Sequence, residues 1–229
     1  MLSIGLAMLQ GARHEHAEAL RGAARELGID IEIVPCRTAS DVVDDLDGLV
    51  LPGGESTTMR IASRYESLLN ALFDWMERHP QRPVLGTCAG AILMANPEDG
   101  RTRFLNVSID RNAWGRQRQS FEAEVTVMLE TPISSKIPVA VASRGASTHH
   151  PLEVHSQAAP LLDTGYPGVF IRAPRFDASD LQCTPIAMLG EEVVGVLDGS
   201  RLGLTFHPEL TLDRRFHRWL LSEATLRGE

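Results

Sequence analysis

Short apolar runs recur through the first half of the chain with amphipathic stretches between them. Ile4 to Met8, Ile31 to Val34, Gly48 to Leu51 and Val84 to Leu85 have the length and composition of strands buried in a parallel sheet. Between them, Glu15 to Leu27 and Leu68 to Arg78 carry a helical period, the second with Leu69, Leu72, Phe73 and Met76 on one face. This β-α-β-α order predicts an α/β fold: a single three-layer domain with a doubly wound, mostly parallel sheet and helices on both sides. The second half reads differently. Phe104 to Ile109, Phe121 to Met128, Gly168 to Ile171, Ile186 to Leu189, Val193 to Leu197 and Leu202 to Phe206 read as strands joined by turns. A closing helix is expected over about Leu212 to Leu221, with Thr211 or Asp213 as its N-terminal cap. Glu130 to Gly168, rich in Pro, Ser, Thr, Ala and His, is an atypical stretch with no predicted topology inside a domain that otherwise spans 1–229.

Composition narrows the function classes. At 229 residues, 43% of them hydrophobic and 23% charged, the chain can bury one large core and is not of a disordered type. A net charge of −8 argues against nucleic acid or an anionic membrane as partner, since both call for a basic surface. Met1 to Leu9 is apolar but lacks a basic lead and a cleavage site, so it reads as a first strand rather than a signal peptide. No apolar run approaches the ~20 residues of a membrane span. Cys36, Cys88 and Cys183 form no C-x-x-C pair and no zinc spacing, and their odd number argues against a disulfide scaffold; a reducing cytoplasm fits best.

The chemistry concentrates where the fourth strand ends, at Val84-Leu85-Gly86-Thr87-Cys88-Ala89-Gly90. Gly-x-Cys-x-Gly at a strand end reads as a nucleophile elbow with cysteine in place of serine, since the flanking glycines permit the sharp turn that lifts the side chain off the sheet. The plain alternative is a buried cysteine in a tight βα turn. A helix beginning at Ala89 would aim its free N–H groups and positive end at the sulfur and supply an oxyanion donor. Far downstream, Leu202 to Phe206 leads into His207-Pro208-Glu209 at what would be the same sheet edge. A nucleophile needs a base and the base needs an orienting group, roles that His207 and Glu209 can fill. The other seven histidines read as solvated or structural. Pro52-Gly53-Gly54-Glu55-Ser56 follows the third strand; its two glycines bring backbone N–H groups close to a ligand and a helix N-terminus comes next, so the turn could donate to an oxyanion, although Pro-Gly-Gly is more often a simple turn. His149 to His155 has metal-ligand residue types, but its spacing fits no defensible site, and it reads as a solvated loop. The chain calls for no metal and no cofactor.

Six blocks in order then carry a resemblance. They are Leu9-Gln10-Gly11-Ala12, Leu51 to Met59, Gly86 to Gly90, Arg111 to Gln117, Phe170 to Pro174 and Phe206 to Thr211. Together they resemble the glutaminase subunits of pyridoxal 5'-phosphate synthase, class I (triad) glutamine amidotransferases, over about Ile4 to Met128 and Gly168 to Leu221. The resemblance implies a Cys88-His207-Glu209 triad that hydrolyses L-glutamine, with the substrate held by Gly54, Glu55, Ser56, Arg111, Ile171 and Arg172. The oxyanion would be met by Gly53, Gly54 and Ala89. It also implies a hetero-oligomer with a synthase subunit that accepts the ammonia, and a partner contact at Gln10 and Gly11. Departures are local: Trp114, Ala91 and Gln119 stand where other residues are usual, and the Glu130 to Gly168 stretch is longer than the family norm. Two rival readings are an amidotransferase serving a different synthase and a non-enzymatic regulatory or redox-sensing module. The first is disfavoured by the Arg111 and Phe170 blocks, and the second leaves His207 and Glu209 unexplained.

Overall fold

A computed structural model of the chain describes residues 1–97, 100–111, 120–129 and 164–227. Trp114, Gln119, the Asn112 to Gln117 part of the fourth block, His149 to His155 and most of the Glu130 to Gly168 stretch lie outside the described residues.

The strands are β1 (Leu2–Ala7), β2 (Ile31–Cys36), β3 (Gly48–Leu51), β4 (Val84–Thr87), β5 (Ile109–Asp110), β6 (Ser120–Val127), β7 (Gly165–Ile171), β8 (Arg175–Phe176), β9 (Thr184–Leu189), β10 (Glu192–Asp198) and β11 (Arg201–Leu204). The α-helices are α1 (Arg13–Leu27), α2 (Ser56–Glu66), α3 (Leu68–Arg78), α4 (Ala89–Ala95) and α5 (Arg215–Arg227). Among the described residues nine strands form one sheet in the order β2-β1-β3-β4-β11-β10-β9-β6-β7, and β5 pairs separately with β8. The β2-β1-β3-β4-β11 part is parallel, and the remaining pairings are antiparallel. Seven of the nine strands therefore point the same way, with β10 and β6 reversed.

Side-chain alternation builds the three layers. Along β3, Leu49 and Leu51 join the core beneath α2, α3 and α4, whereas Val50 joins the opposite core with α1 and α5; Val84 and Leu85 of β4 divide likewise. The predicted apolar face of α3 is buried on the first side, and Leu20, Ala23 and Ala24 of α1 meet Phe216, Leu220 and Ala224 of α5 on the second. α1 stops at Gly28, whose left-handed backbone (φ 70°) lets its N–H close on Ala24.

Two expectations need correction. Phe104 to Ile109 is not a strand except at its end. Its apolar residues serve as a core-filling loop: Leu105 and Val107 are fully buried, and Phe104 and Leu105 donate to the Met94 carbonyl at the end of α4. The closing helix starts later and runs longer than predicted, because Tyr166 and the Asp213 backbone engage the Thr211 hydroxyl while the Asp213 carboxylate accepts from the Arg215 N–H. α2 starts at Ser56, where a helix N-terminus is expected after the two glycines, and its first turn is capped by the Glu55 side chain.

The antiparallel half curls back on the parallel half. Beyond β11 the chain keeps its direction, with the Thr205 N–H donating to Val194 of β10 and the His207 N–H to Val169 of β7. Phe206 between them packs against Phe170 and Phe216, with centroids 5.5 and 5.7 Å away. As a result β7, five places from β4 if counted along the sheet, delivers its C-terminal end to the edge where β4 ends.

Candidate active site

The turn after β4 is strained and closely packed. Cys88 has φ 48° and ψ −106°, a conformation that non-glycine residues rarely adopt and that costs of order 1–3 kcal/mol. Its N–H donates to Leu204 of β11 and its carbonyl accepts from Ile92 of α4, so both neighbouring elements hold it in place. The turn depends on close approach at Gly90, where an added Cβ would overlap the Leu51 carbonyl oxygen of β3. This is the strand-turn-helix context an elbow requires, with α4 starting at Ala89 as expected.

His207 and Cys88 meet at the Gly53 backbone. A Cβ on Gly53 would lie 2.5 Å from His207 Cε1 and 3.3 Å from Cys88 Cβ. His207 is almost wholly buried and its Nδ1 lies 2.7 Å from Glu209 Oε1, while its Nε2 makes no hydrogen bond. Burial alone would lower the His207 pKa, but the Glu209 charge, the Cys88 sulfur and the hydrogen bond to Glu209 together raise it well above the usual 6.5. Burial pushes the Glu209 carboxyl up, and its electrostatic interactions with the His16 and His207 rings, together with the hydrogen bond to His207, outweigh it and hold the group down at about 2. The Cys88 sulfur lies 3.9 Å from the Ile171 carbonyl oxygen at the end of β7, the contact that the curled sheet creates.

A cavity of about 490 Å³ opens in front of Cys88 and His207, within the size range of small-molecule sites. Of the residues expected from the sequence, Gly11, Gly53, Gly54, Glu55, Ser56, Arg111, Ile171 and Arg172 line it. Glu209 stands behind His207, Ala89 is buried as the first residue of α4, and Gln10 lies behind the Gly54-Glu55 turn with its Oε1 3.1 Å from the Glu55 nitrogen. The Glu55 carboxylate is engaged in capping α2: it accepts from the backbone of Thr57 and Thr58 and from the Thr58 hydroxyl, contacts that lower its pKa to about 2. Arg111 reaches toward the Thr57 hydroxyl at 3.4 Å. Arg172 takes a left-handed backbone, φ 44°, immediately after Ile171. Two of the three non-glycine residues with positive φ among those described, Cys88 and Arg172, thus line one cavity.

The structure also brings in residues that sequence reasoning passed over. Glu15, Thr57, Ile92 and Leu210 line the cavity, and His16 lies 3.3 Å from Glu209. The available signal for His16 was its place on the buried stripe of α1, in step with Ala19, Leu20 and Ala23. No cluster of potential metal ligands occurs among the described residues, and among them no helix is long and apolar enough to cross a membrane.

Comparison with known proteins finds similar sequences and similar folds. The model of the SNO glutamine amidotransferase family matches residues 6–138. The pyridoxal 5'-phosphate synthase subunit PdxT of Thermococcus onnurineus is 37% identical over 234 residues, covering 98% of this chain and all of that protein. The PdxT subunit of Haloquadratum walsbyi is also 37% identical, covering 95% of this chain and 91% of its own length. Among solved structures, a glutamine amidotransferase crystal structure with 32% identity superposes with a TM-score of 0.68 over 97% of this chain and 98% of its own. A Thermotoga maritima glutamine amidotransferase at 17% identity, with a TM-score of 0.52 over 99% of this chain and 84% of its own, shares the fold.

Proposed function

This chain belongs to the SNO glutamine amidotransferase family, and from that premise we propose that it hydrolyses L-glutamine to L-glutamate and ammonia at Cys88 and passes the ammonia to a pyridoxal 5'-phosphate synthase subunit. The observation that carries the site assignment is the meeting of a strained cysteine with an imidazole whose far nitrogen is bound to a buried carboxylate, in one cavity of small-molecule size.

The chemistry follows from the atoms in place. The Cys88 thiolate attacks the side-chain carboxamide carbon of glutamine, forming a C–S bond and an oxyanion that backbone N–H groups of Ala89 and the Gly53-Gly54 turn can meet. Glu209 occupies Nδ1 of His207, so Nε2 is the nitrogen that moves protons. The raised pKa supplies His207 in its protonated form, and it gives that proton to the departing nitrogen as the C–N bond breaks and ammonia leaves. Neutral His207 then takes a proton from water, which attacks the glutamyl thioester, releases glutamate and restores the thiolate beside the imidazolium. Glu209 orients the ring and stabilises its charge.

Arg111, Arg172, Ile171, Ser56 and the backbone of Gly54 and Glu55 surround the space for the substrate, and two arginines suit its α-carboxylate. Ammonia released to water at neutral pH becomes ammonium, a poor nucleophile, which favours delivery inside a hetero-oligomer. The relatives named as synthase subunits, matched over nearly their whole length, support the synthase as the partner. Three unpaired, buried cysteines support a reducing, cytoplasmic setting, and we read 1–229 as one glutaminase domain. The test is glutamate release from glutamine by the purified chain, with and without a pyridoxal 5'-phosphate synthase subunit. Release stimulated by that subunit supports the reading, and no release under either condition overturns it.

A further inference from the structure

Behind the candidate triad lies a second line of polar groups that the mechanism above does not use. His16 of α1 is fully buried at the point where α1, the end of β4 and the turn after β11 meet. Its Nε2 lies 3.1 Å from the Thr87 hydroxyl and 3.3 Å from Glu209 Oε2. Its Nδ1 lies 3.0 Å from Nε2 of His217, on α5 and also fully buried. Glu209 divides its two oxygens accordingly: Oε1 serves His207, and Oε2, which makes no hydrogen bond, has His16 as its polar neighbour.

The geometry settles where the protons sit. A bare nitrogen lone pair 3.3 Å from a buried carboxylate oxygen would repel it, whereas an N–H presents positive charge and can donate to Thr87 at the same time. His16 therefore carries its proton on Nε2. Its Nδ1 must then accept, so His217 donates through Nε2 and keeps a bare Nδ1, the one His217 atom without a partner. The opposite arrangement would bury an unpaired N–H there, a rarer and costlier defect than an unpaired lone pair. Other charges close to these rings are Glu15, His207, Arg214 and Arg218. Burial, the largest influence on each ring, lowers both pKa values and keeps the two imidazoles neutral.

We propose that His16, held in its Nε2–H form by His217, is a positioning residue that fixes Glu209 from behind and so sets the orientation of His207 toward Cys88. This rests on the glutaminase reading, with the order of action running from α5 through α1 to the triad. A carboxylate engaged through only one oxygen can turn about its Cγ–Cδ bond, whereas an N–H facing the second oxygen at 3.3 Å favours one orientation of the carboxylate and so of the imidazole.

The experiment compares His16→Leu, which keeps volume and removes the donor, with His16→Gln, whose amide places an N–H near the Nε2 position. Glutamine turnover with the synthase subunit is expected to fall about 10- to 100-fold in kcat for His16→Leu, the range for a lost hydrogen bond or polar contact to a buried charge, with KM changed less than about twofold. His16→Gln should recover most of that loss. Alkylation of Cys88 by iodoacetamide, followed by mass spectrometry, needs no glutamine and should slow in His16→Leu but not in His16→Gln. If the wild type fails to turn over glutamine, the glutaminase reading falls, while the alkylation rates still decide the role of His16. Nitrogen NMR of histidine-labelled wild type removes any dependence on a folded variant: His16 should show Nε2–H and a bare Nδ1. The opposite tautomer, or His16→Leu matching wild type in kcat and alkylation, would overturn the proposal.

Discussion

The Gln10 side-chain oxygen accepts a 3.1 Å hydrogen bond from the backbone N–H of Glu55, fastening the turn after β1 to the turn after β3. Gly11 tightens the link. With φ 87° it lies so close to Gly53 that an added Cβ would overlap the Gly53 carbonyl oxygen. Any movement of Gln10-Gly11 must therefore reach the Gly53-Gly54 peptide, whose N–H groups are candidates for the oxyanion. A partner docking at Gln10 could orient that donor, which would prevent idle ammonia release. Gln10→Ala should leave the melting temperature of the free chain within a few degrees of wild type and reduce synthase stimulation of glutaminase by about tenfold or more. Equal stimulation in wild type and variant would sever the turn from activation.

Arg172 allows backbone strain and side-chain function to be separated. A left-handed backbone costs a non-glycine residue ~1 kcal/mol, so Arg172→Gly should melt no lower than wild type and up to a few degrees higher. If the guanidinium helps hold glutamine, the same variant should raise KM several-fold or more, and Arg111→Ala should do likewise with an unchanged melting temperature. Unchanged KM in both variants would make the two arginines ordinary surface cations.

The elbow was legible because its requirements are local. Gly86 and Gly90 stand where neighbouring atoms leave no room for a side chain, and a strand, a turn and a helix follow one another within a dozen residues. His207 and Glu209 were legible because they lie two apart at another strand end. What escaped was either tertiary or ambiguous in period. Leu105 and Val107 alternate like a strand, yet they fill the core from a loop. The helix start after the Gly53-Gly54 turn was legible, but the capping of its first turn by the Glu55 carboxylate was not. His16 lies 71 residues from Thr87 and 201 from His217, so no local pattern could join them. That Glu55 lines the cavity followed from its motif; that its carboxylate is spent on the helix end could be seen only in three dimensions.

Stability should peak in pH near the ordinary histidine value. His16 and His217 have folded pKa values below 6.5, so below that pH the unfolded chain binds protons that the folded chain refuses, and stability falls with acid. His207 is raised, so its contribution is complete below 6.5 and is lost as pH rises through its folded value. Each group can contribute a slope of up to ~1.4 kcal/mol per pH unit. Urea unfolding between about pH 5 and pH 9 should show both limbs, and His217→Gln should flatten the acid one. An acid limb unaltered by that substitution would contradict a neutral, buried His217.

The central claim, that glutamine is cleaved by the sulfur of Cys88, is tested most directly by glutamate formation in the synthase complex of wild type and Cys88→Ala. Alanine keeps the small side chain that the turn tolerates and leaves His207, Glu209 and the cavity in place. The account predicts that Cys88→Ala binds the synthase as wild type does and forms glutamate at least about 10³-fold more slowly, as removing a nucleophile demands. Turnover within about tenfold of wild type would show that the nucleophile lies elsewhere.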